Sequence, residues 1–228
     1  MTVFDDLLTS RSPLAISLWV ATWAGLAALI IGTAIAWVLV KTRFKGKWLL
    51  EGFVLLALVV PPTVLGYYLL VALGQQGLGQ IIERTLGFRF VFAWPGAVVA
   101  ATVAALPLVV VTVRVGLAEV SREIEDTAQV DGCNRWQTFW RISLPIAARS
   151  VIAGSLVGFL RALGEFGATL MVAGNIPGRT QTLSMAIYDA VQANDLSRAN
   201  GLVLLMSVIA LSVLSIVIVL NQRIAAGR

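Results

Sequence analysis

Apolar residues run along this chain in blocks of about twenty, the length a helix needs to cross the hydrocarbon core of a bilayer. The first block, Leu14 to Val40, carries no charge. The second runs from Gly52 to Leu73 and contains Pro61 and Pro62. The third runs from Val91 to Val113 and contains Pro95 and Pro107. The fourth, Ile146 to Gly174, carries Arg161 and Glu165 inside an otherwise apolar stretch, and the fifth runs from Gly201 to Leu220. This pattern predicts an all-α integral membrane protein with five core spans. Thr182 to Val191 is only mildly apolar and about ten residues long, too short to cross alone. It predicts an interfacial or partly inserted helix, which would make a sixth span if it crossed.

Composition sharpens this reading. Of 228 residues, 58% are hydrophobic and only 13% are charged, and the mean hydropathy is +0.88. A soluble domain of this size could not bury so much apolar surface. A soluble enzyme, a disordered chain and a disulfide scaffold are therefore excluded. Cys133 is the only cysteine and there is no histidine. Internal disulfides, His-ligated haem or zinc and His-based catalytic triads go with them. The missing histidines also weaken a membrane electron carrier. The first apolar block is preceded by Asp5 and Asp6 where a secretory signal would be basic, and it is too long for one. It is expected to stay as the first helix.

The formal net charge is +5. Its distribution argues for topology rather than nucleic acid. Lys41, Arg43, Lys45, Lys47, Arg114, Arg122, Arg135, Arg141, Arg149, Arg223 and Arg228 fall on one side of a five-span chain. Only Arg11, Arg84, Arg89, Arg179 and Arg198 fall on the other. The positive-inside rule then places the N-terminus outside and the C-terminus in the cytoplasm. The expected division is an extracytoplasmic tail over 1–12, a transmembrane domain over 13–222 and a cytoplasmic tail over 223–228.

The longest polar stretch, roughly Arg114 to Arg149, lies on the basic side. It predicts two short helices and a turn. Ser121 caps the first, with Glu123, Glu125 and Asp126 near its N-terminus. Gly132 stops it at the position that favours a left-handed residue. Asn134 opens the second, with Gln137 three residues on as a capping-box partner. Pro145 marks its end. Trp136, Phe139 and Trp140 share one face. Such a face either packs on the chain's own helices or docks a cytoplasmic partner, and the spacing divides these evenly.

The stretch DTAQVDG, nine residues, then ISLP resembles the cytoplasmic loop signature of ABC importer permeases. The family pattern is Glu-Ala-Ala, three residues, Gly, nine residues, Ile, one residue, Leu-Pro. Asp126, Thr127 and Ala128 stand at its first three places, and Gly132, Ile142, Leu144 and Pro145 at the others. Asp126 replaces Glu with its charge kept, and Thr127 replaces Ala. The segment Leu163 to Tyr188 and the segment PPTVLGYYLL from Pro61 to Leu70 are similar to stretches of molybdate permease subunits. Sulfate permeases carry related segments; GEFGAT followed by GNIPG fits the molybdate branch better, and a sulfate, tungstate or other oxyanion permease of the same family is the nearest alternative.

The resemblance implies a type I ABC importer permease in the bacterial inner membrane. It implies a coupling helix between spans three and four, within about 114–145, that sits in a groove of an ATP-hydrolysing subunit. Glu125, Asp126, Ala128, Gly132, Trp136, Phe139, Trp140, Ile142, Leu144 and Pro145 are its expected contact residues. It further implies a homodimer, two ATP-binding subunits carrying ATP and magnesium, and an extracytoplasmic molybdate-binding protein. This chain itself is expected to hold no cofactor or metal and to bind no nucleic acid. A P-loop is missing: Gly74 and Gly79 have the right separation, but Gln80 and Ile81 follow them. No catalytic residue is expected. A rival from another class is a membrane anchor that docks a cytoplasmic partner without transport; the intact loop signature argues against it.

Ionisable side chains are costly inside a span, so Arg161 and Glu165 mark either a self-neutralising pair facing protein or a lining of the translocation path. Gly154 and Gly158 predict close helix packing. Gly164 and Gly167 flank Glu165 and permit a bend. Pro61 and Pro62 remove two helix hydrogen bonds, so their kink should face protein or water. Thr169, with Thr63, Thr102, Thr112 and Ser155, offers a hydroxyl to an anion, and nothing selects among them.

Overall fold

The computed structural model describes residues 11–42, 44–75, 77–87 and 89–226; the acidic flank Asp5–Asp6, Arg43 and Arg228 lie outside them. Every regular element among the described residues is helical, with no strand among them. Helix α1 spans Pro13–Lys41, opened by Ser12, whose hydroxyl accepts from Ala15 N. Helices α2 (Lys47–Val59) and α3 (Pro62–Leu73) form a bent pair, α4 spans Leu78–Leu86 and α5 Trp94–Ala118. The polar loop holds α6 (Arg122–Val130), α7 (Arg135–Thr138), a π-helical turn (Phe139–Ser143) and α8 (Leu144–Ile146). Then follow α9 (Ala148–Leu163), α10 (Gly167–Ala173), α11 (Leu183–Gln192) and α12 (Leu196–Ala226).

Among the described residues, three helices are long and apolar enough to cross a bilayer unaided: Pro13–Lys41, Trp94–Ala118 and Leu196–Ile216. Two bent pairs raise the number to five if each counts as one span. The expected second span is one of them. It turns by 116° between Val59 and Pro62, so the proline pair ends one helix and starts another. Pro62 takes the first helical position, where its missing N–H is no loss. The expected fourth span is likewise broken. Its helix bends by 77° against the preceding loop segment and stops at Leu163, before α10 resumes at Gly167. The third span starts later and ends later than the apolar run, because α5 begins at Trp94 and runs to Ala118.

The stretch read as interfacial is α11. Leu183, Met185, Ala186 and Ala190 on it are buried, packed between α12 and α1. Ser17 on α1 accepts a hydrogen bond from Leu183 N at 2.6 Å, tying the start of α11 to the first helix.

The core is the three-way packing of α1, α5 and α9. Ala21, Ala24, Ala28 and Ala36 on α1 face Ala97, Ala101 and Ala105 on α5, all buried. Side chains this small let helix backbones approach closely, which is how membrane helices gain packing energy where lipid is as apolar as leucine. Val109 fills holes on two sides. A methyl on Gly32 would lie 2.8 Å from Val109 Cγ1, and one on Gly158 would lie 2.6 Å from Val109 Cγ2. At the start of α1 and α5, Trp19, Trp23 and Trp94 stack edge to face, with centroids 5.7 and 6.2 Å apart. These exposed indoles suit a membrane–water boundary.

Candidate functional site: the polar loop and the broken helices

Two regions hold the residues singled out in the sequence. The first is the polar loop. Ser121 caps α6 by accepting from Glu123 N, and α6 closes at Asp131–Gly132, where Gly132 takes φ +94°. Asn134 and Gln137 form the complete capping box: Asn134 Oδ1 accepts from Gln137 N at 2.8 Å and Gln137 Oε1 from Asn134 N at 2.9 Å. The helix does not end at Pro145. It passes through the π-helical turn and α8, and the break falls at Ala147.

Trp136, Phe139 and Trp140 cluster with centroids 5.4 to 5.9 Å apart. Burial then divides them. Phe139 is buried and meets Trp37 of α1 at 5.6 Å. Trp136 and Trp140 remain 60% and 52% exposed. Phe139 therefore packs on the chain's own first helix, while the two indoles stay at the surface. Glu125 points inward: Lys41 Nζ lies 2.9 Å from its Oε2, with both side chains 12% exposed, and Ser143 Oγ donates to its Oε1. Lys41 also donates to Val120 O at 3.3 Å. Ala128 is buried, Ile142 and Leu144 half-buried, and Asp126, Gly132 and Pro145 exposed. A polar cavity of about 460 Å³ lies between α1 and the loop, lined by Lys41, Arg122, Glu125, Asp126, Arg135 and Phe139 among others. The pinning role of Lys41 and Ser143 was not visible in the sequence, since Lys41 reads there only as a topology marker.

The second region is the break between α9 and α10. Arg161 and Glu165 do meet, Nη1 to Oε2 at 2.6 Å. They do so across a helix end, since α9 stops at Leu163 and Glu165 stands in the connection. Glu165 is 2% exposed, and its other oxygen accepts from Ala168 N at 2.9 Å. Helix α10 lies directly on the proline bend. A methyl on Gly167 would sit 3.0 Å from Pro62 Cβ, and one on Gly66 would sit 2.8 Å from Ala168 Cα. Pro61 and Pro62 present exposed side chains, and Pro61 O opens the new helix by accepting from Val64 N and Leu65 N. Thr169 is buried with its hydroxyl unpartnered, whereas Thr102 and Thr112 donate to carbonyls four residues back. Further on, Asp189 accepts from both Asn175 and Gln181 at 2.7 Å, fixing the Gly174–Thr182 connection to α11. Sequence reading missed this carboxylate, whose amide partners are 8 and 14 residues away. Among the described residues no cluster of His, Cys, Asp or Glu is arranged to hold a metal ion.

The capped polar loop, broken spans and small-residue core are those of an ABC importer permease, and residues 13–228 match the family described as binding-protein-dependent transport system inner membrane component. The chain belongs to that family. It is 39% identical over 208 residues to the molybdenum transport system permease protein ModB of Haemophilus influenzae, covering 91% of this chain and 90% of that one. It is 34% identical over 195 residues to the sulfate transport system permease protein CysW of Synechococcus elongatus, covering 85% and 68%. Its fold matches a chain of the MetNI methionine ABC transporter with a TM-score of 0.73 at 16% identity, covering 98% and 99%.

Proposed function

We propose that this chain is the membrane subunit of an ATP-driven molybdate importer. Two copies form the pathway, two ATP-binding subunits power it, and an extracytoplasmic binding protein delivers the anion. The observation that carries the anion assignment is the 39% identity to a molybdenum permease over nine-tenths of both chains. A sulfate permease is the second reading, supported by the 34% identity to CysW.

Coupling is read from the polar loop. Trp136 and Trp140 stand out from a segment braced by the capping box and by the Lys41–Glu125–Ser143 cluster. An exposed aromatic pair on a rigid mount suits a groove in a cytoplasmic partner. Movement of the ATP-binding subunits would then displace the loop as a unit, and α9 would carry that displacement into the membrane. Binding protein and nucleotide each bias one of two states, which is alternating access. The basic side of the chain, with the loop and C-terminus, faces the cytoplasm in this reading.

Labelled molybdate uptake tests it, in cells lacking their own importer that express this chain with its ATPase and binding protein. Uptake that requires this chain and persists in excess sulfate is expected, with tungstate competing. Uptake abolished by sulfate would move the assignment to the sulfate branch. No uptake of any oxyanion with all subunits in the membrane would overturn the transport reading.

A further inference from the structure

The buried carboxylate of Glu165 sits at a mechanical joint. On one side is α9, which continues the polar loop across Ala147: Ala147 N donates to Ser143 O and Val151 N to Ala147 O, at 3.0 and 3.1 Å. On the other side is α10, laid backbone to backbone on the proline bend through Gly66 and Gly167. Between them the helix is interrupted at Gly164, Glu165 and Phe166. An open connection of this kind would absorb any movement of α9. Glu165 closes it. One oxygen holds Arg161 of α9, and the other holds Ala168 N of α10. Phe166 occupies the capping position of α10 and has no side chain able to accept a hydrogen bond. The preceding carboxylate takes that task, satisfying an N-terminal N–H that would otherwise be orphaned in an apolar setting.

We propose that Glu165 is a positioning residue for transport: it clamps α9 to α10, so that displacement of the polar loop reaches the proline bend instead of being lost at the break. This rests on the transport reading above. It differs from a role in attracting or repelling the anion, because what matters is that both oxygens accept at once, one from Arg161 and the other from Ala168 N. Energetic coupling between distant sites can be carried by packed side chains and ion-pair or hydrogen-bond networks that link rigid elements.

The test is the complete transporter in proteoliposomes, with labelled molybdate uptake measured against anion concentration beside ATP hydrolysis and yield of assembled complex. Wild-type uptake checks the transport reading by itself. Glu165→Leu should assemble normally and hydrolyse ATP at a rate within about twofold of wild type. Its maximal uptake should fall about tenfold or more with KM nearly unchanged, as expected for lost positioning rather than lost binding. Glu165→Gln has a single accepting oxygen and a donating amide, so it keeps one arm at most and should fall between wild type and Glu165→Leu, about threefold or more below wild type. The reversed pair Arg161→Glu with Glu165→Arg restores the charges but not the acceptor, and should remain as poor as Glu165→Leu. Wild-type uptake by Glu165→Leu overturns the proposal, as does equal impairment by Leu and Gln, rescue by the reversed pair, or a raised KM at unchanged maximal rate. If Glu165→Leu does not assemble, Glu165→Gln decides: wild-type uptake in an assembled complex overturns it. A wild-type complex that moves no oxyanion removes the transport reading and this inference together.

Discussion

Gly132 is where backbone conformation alone can be tested. It holds φ +94°, and nothing lies within 4 Å of the place a Cβ would occupy. Gly132→Ala should therefore strain only the turn, by about 1–2 kcal/mol, and Gly132→Asn less, since Asn tolerates the left-handed region. If the turn sets the loop for docking, uptake per ATP should fall in the order Gly, Asn, Ala, while membrane insertion stays constant; no ranking would show that the turn is not used. Glu125 is different in kind. Removing it strands Lys41 in a largely buried site, and breaking such a pair costs roughly 3–5 kcal/mol. Glu125→Ala should lower the thermal unfolding midpoint of the purified chain, and Glu125→Gln less, because it still accepts from Ser143. At this scale the sequence was legible where partners are close in the chain. Asn134 with Gln137, and Ser121 with Glu123, are separated by three residues and two. Lys41 and Glu125 lie on different elements, and no local spacing announces their meeting.

Between elements, the contrast lies in what fills the space beside each glycine. Beside Gly158 it is the Val109 side chain, which can be shortened. Gly158→Ala should destabilise by about 1–3 kcal/mol, and Val109→Ala in the same chain should return part of that loss. Beside Gly66 it is the backbone of Ala168 and Cβ of Met171. Gly66→Ala should destabilise with no single-residue rescue. Denaturant titration of the four Gly158 and Val109 combinations in detergent gives the coupling, and additivity would show that the two residues do not share a packing site. The same contacts explain what sequence could say of the helices. Apolar blocks located α1, α5 and α12 well, because span length is set by the bilayer. Pro61–Pro62 announced a kink but not a turn of 116°. The bend packs on α10 through Gly66 against Ala168 and Gly167 against Pro62, partners about a hundred residues apart in the chain. For helix α11, hydropathy predicted a segment too short to cross but not the face it packs between α1 and α12, because hydropathy does not distinguish a lipid-facing position from one enclosed by neighbouring helices.

For the whole molecule, the loop aromatics separate folding from assembly. Phe139 packs on Trp37 inside the chain, whereas Trp136 and Trp140 are exposed. Phe139→Ala should lower the stability of the isolated chain, by about 3 kcal/mol on the scale of buried aromatic truncations. Trp136→Ala with Trp140→Ala should leave that stability nearly unchanged and reduce co-purification of the ATP-binding subunit. Undiminished recovery would remove these indoles from the docking surface. The α1–α5–α9 core bears on how such an assembly can move. Its seam sets alanine and glycine on all three helices beside larger residues such as Val109, Val113 and Leu117. Alanine and glycine have no side-chain rotamers to freeze or exchange, and valine has few. Such a seam loses little side-chain entropy at its small positions and offers few other packings there, so shape change is expected first at the places where helices are interrupted.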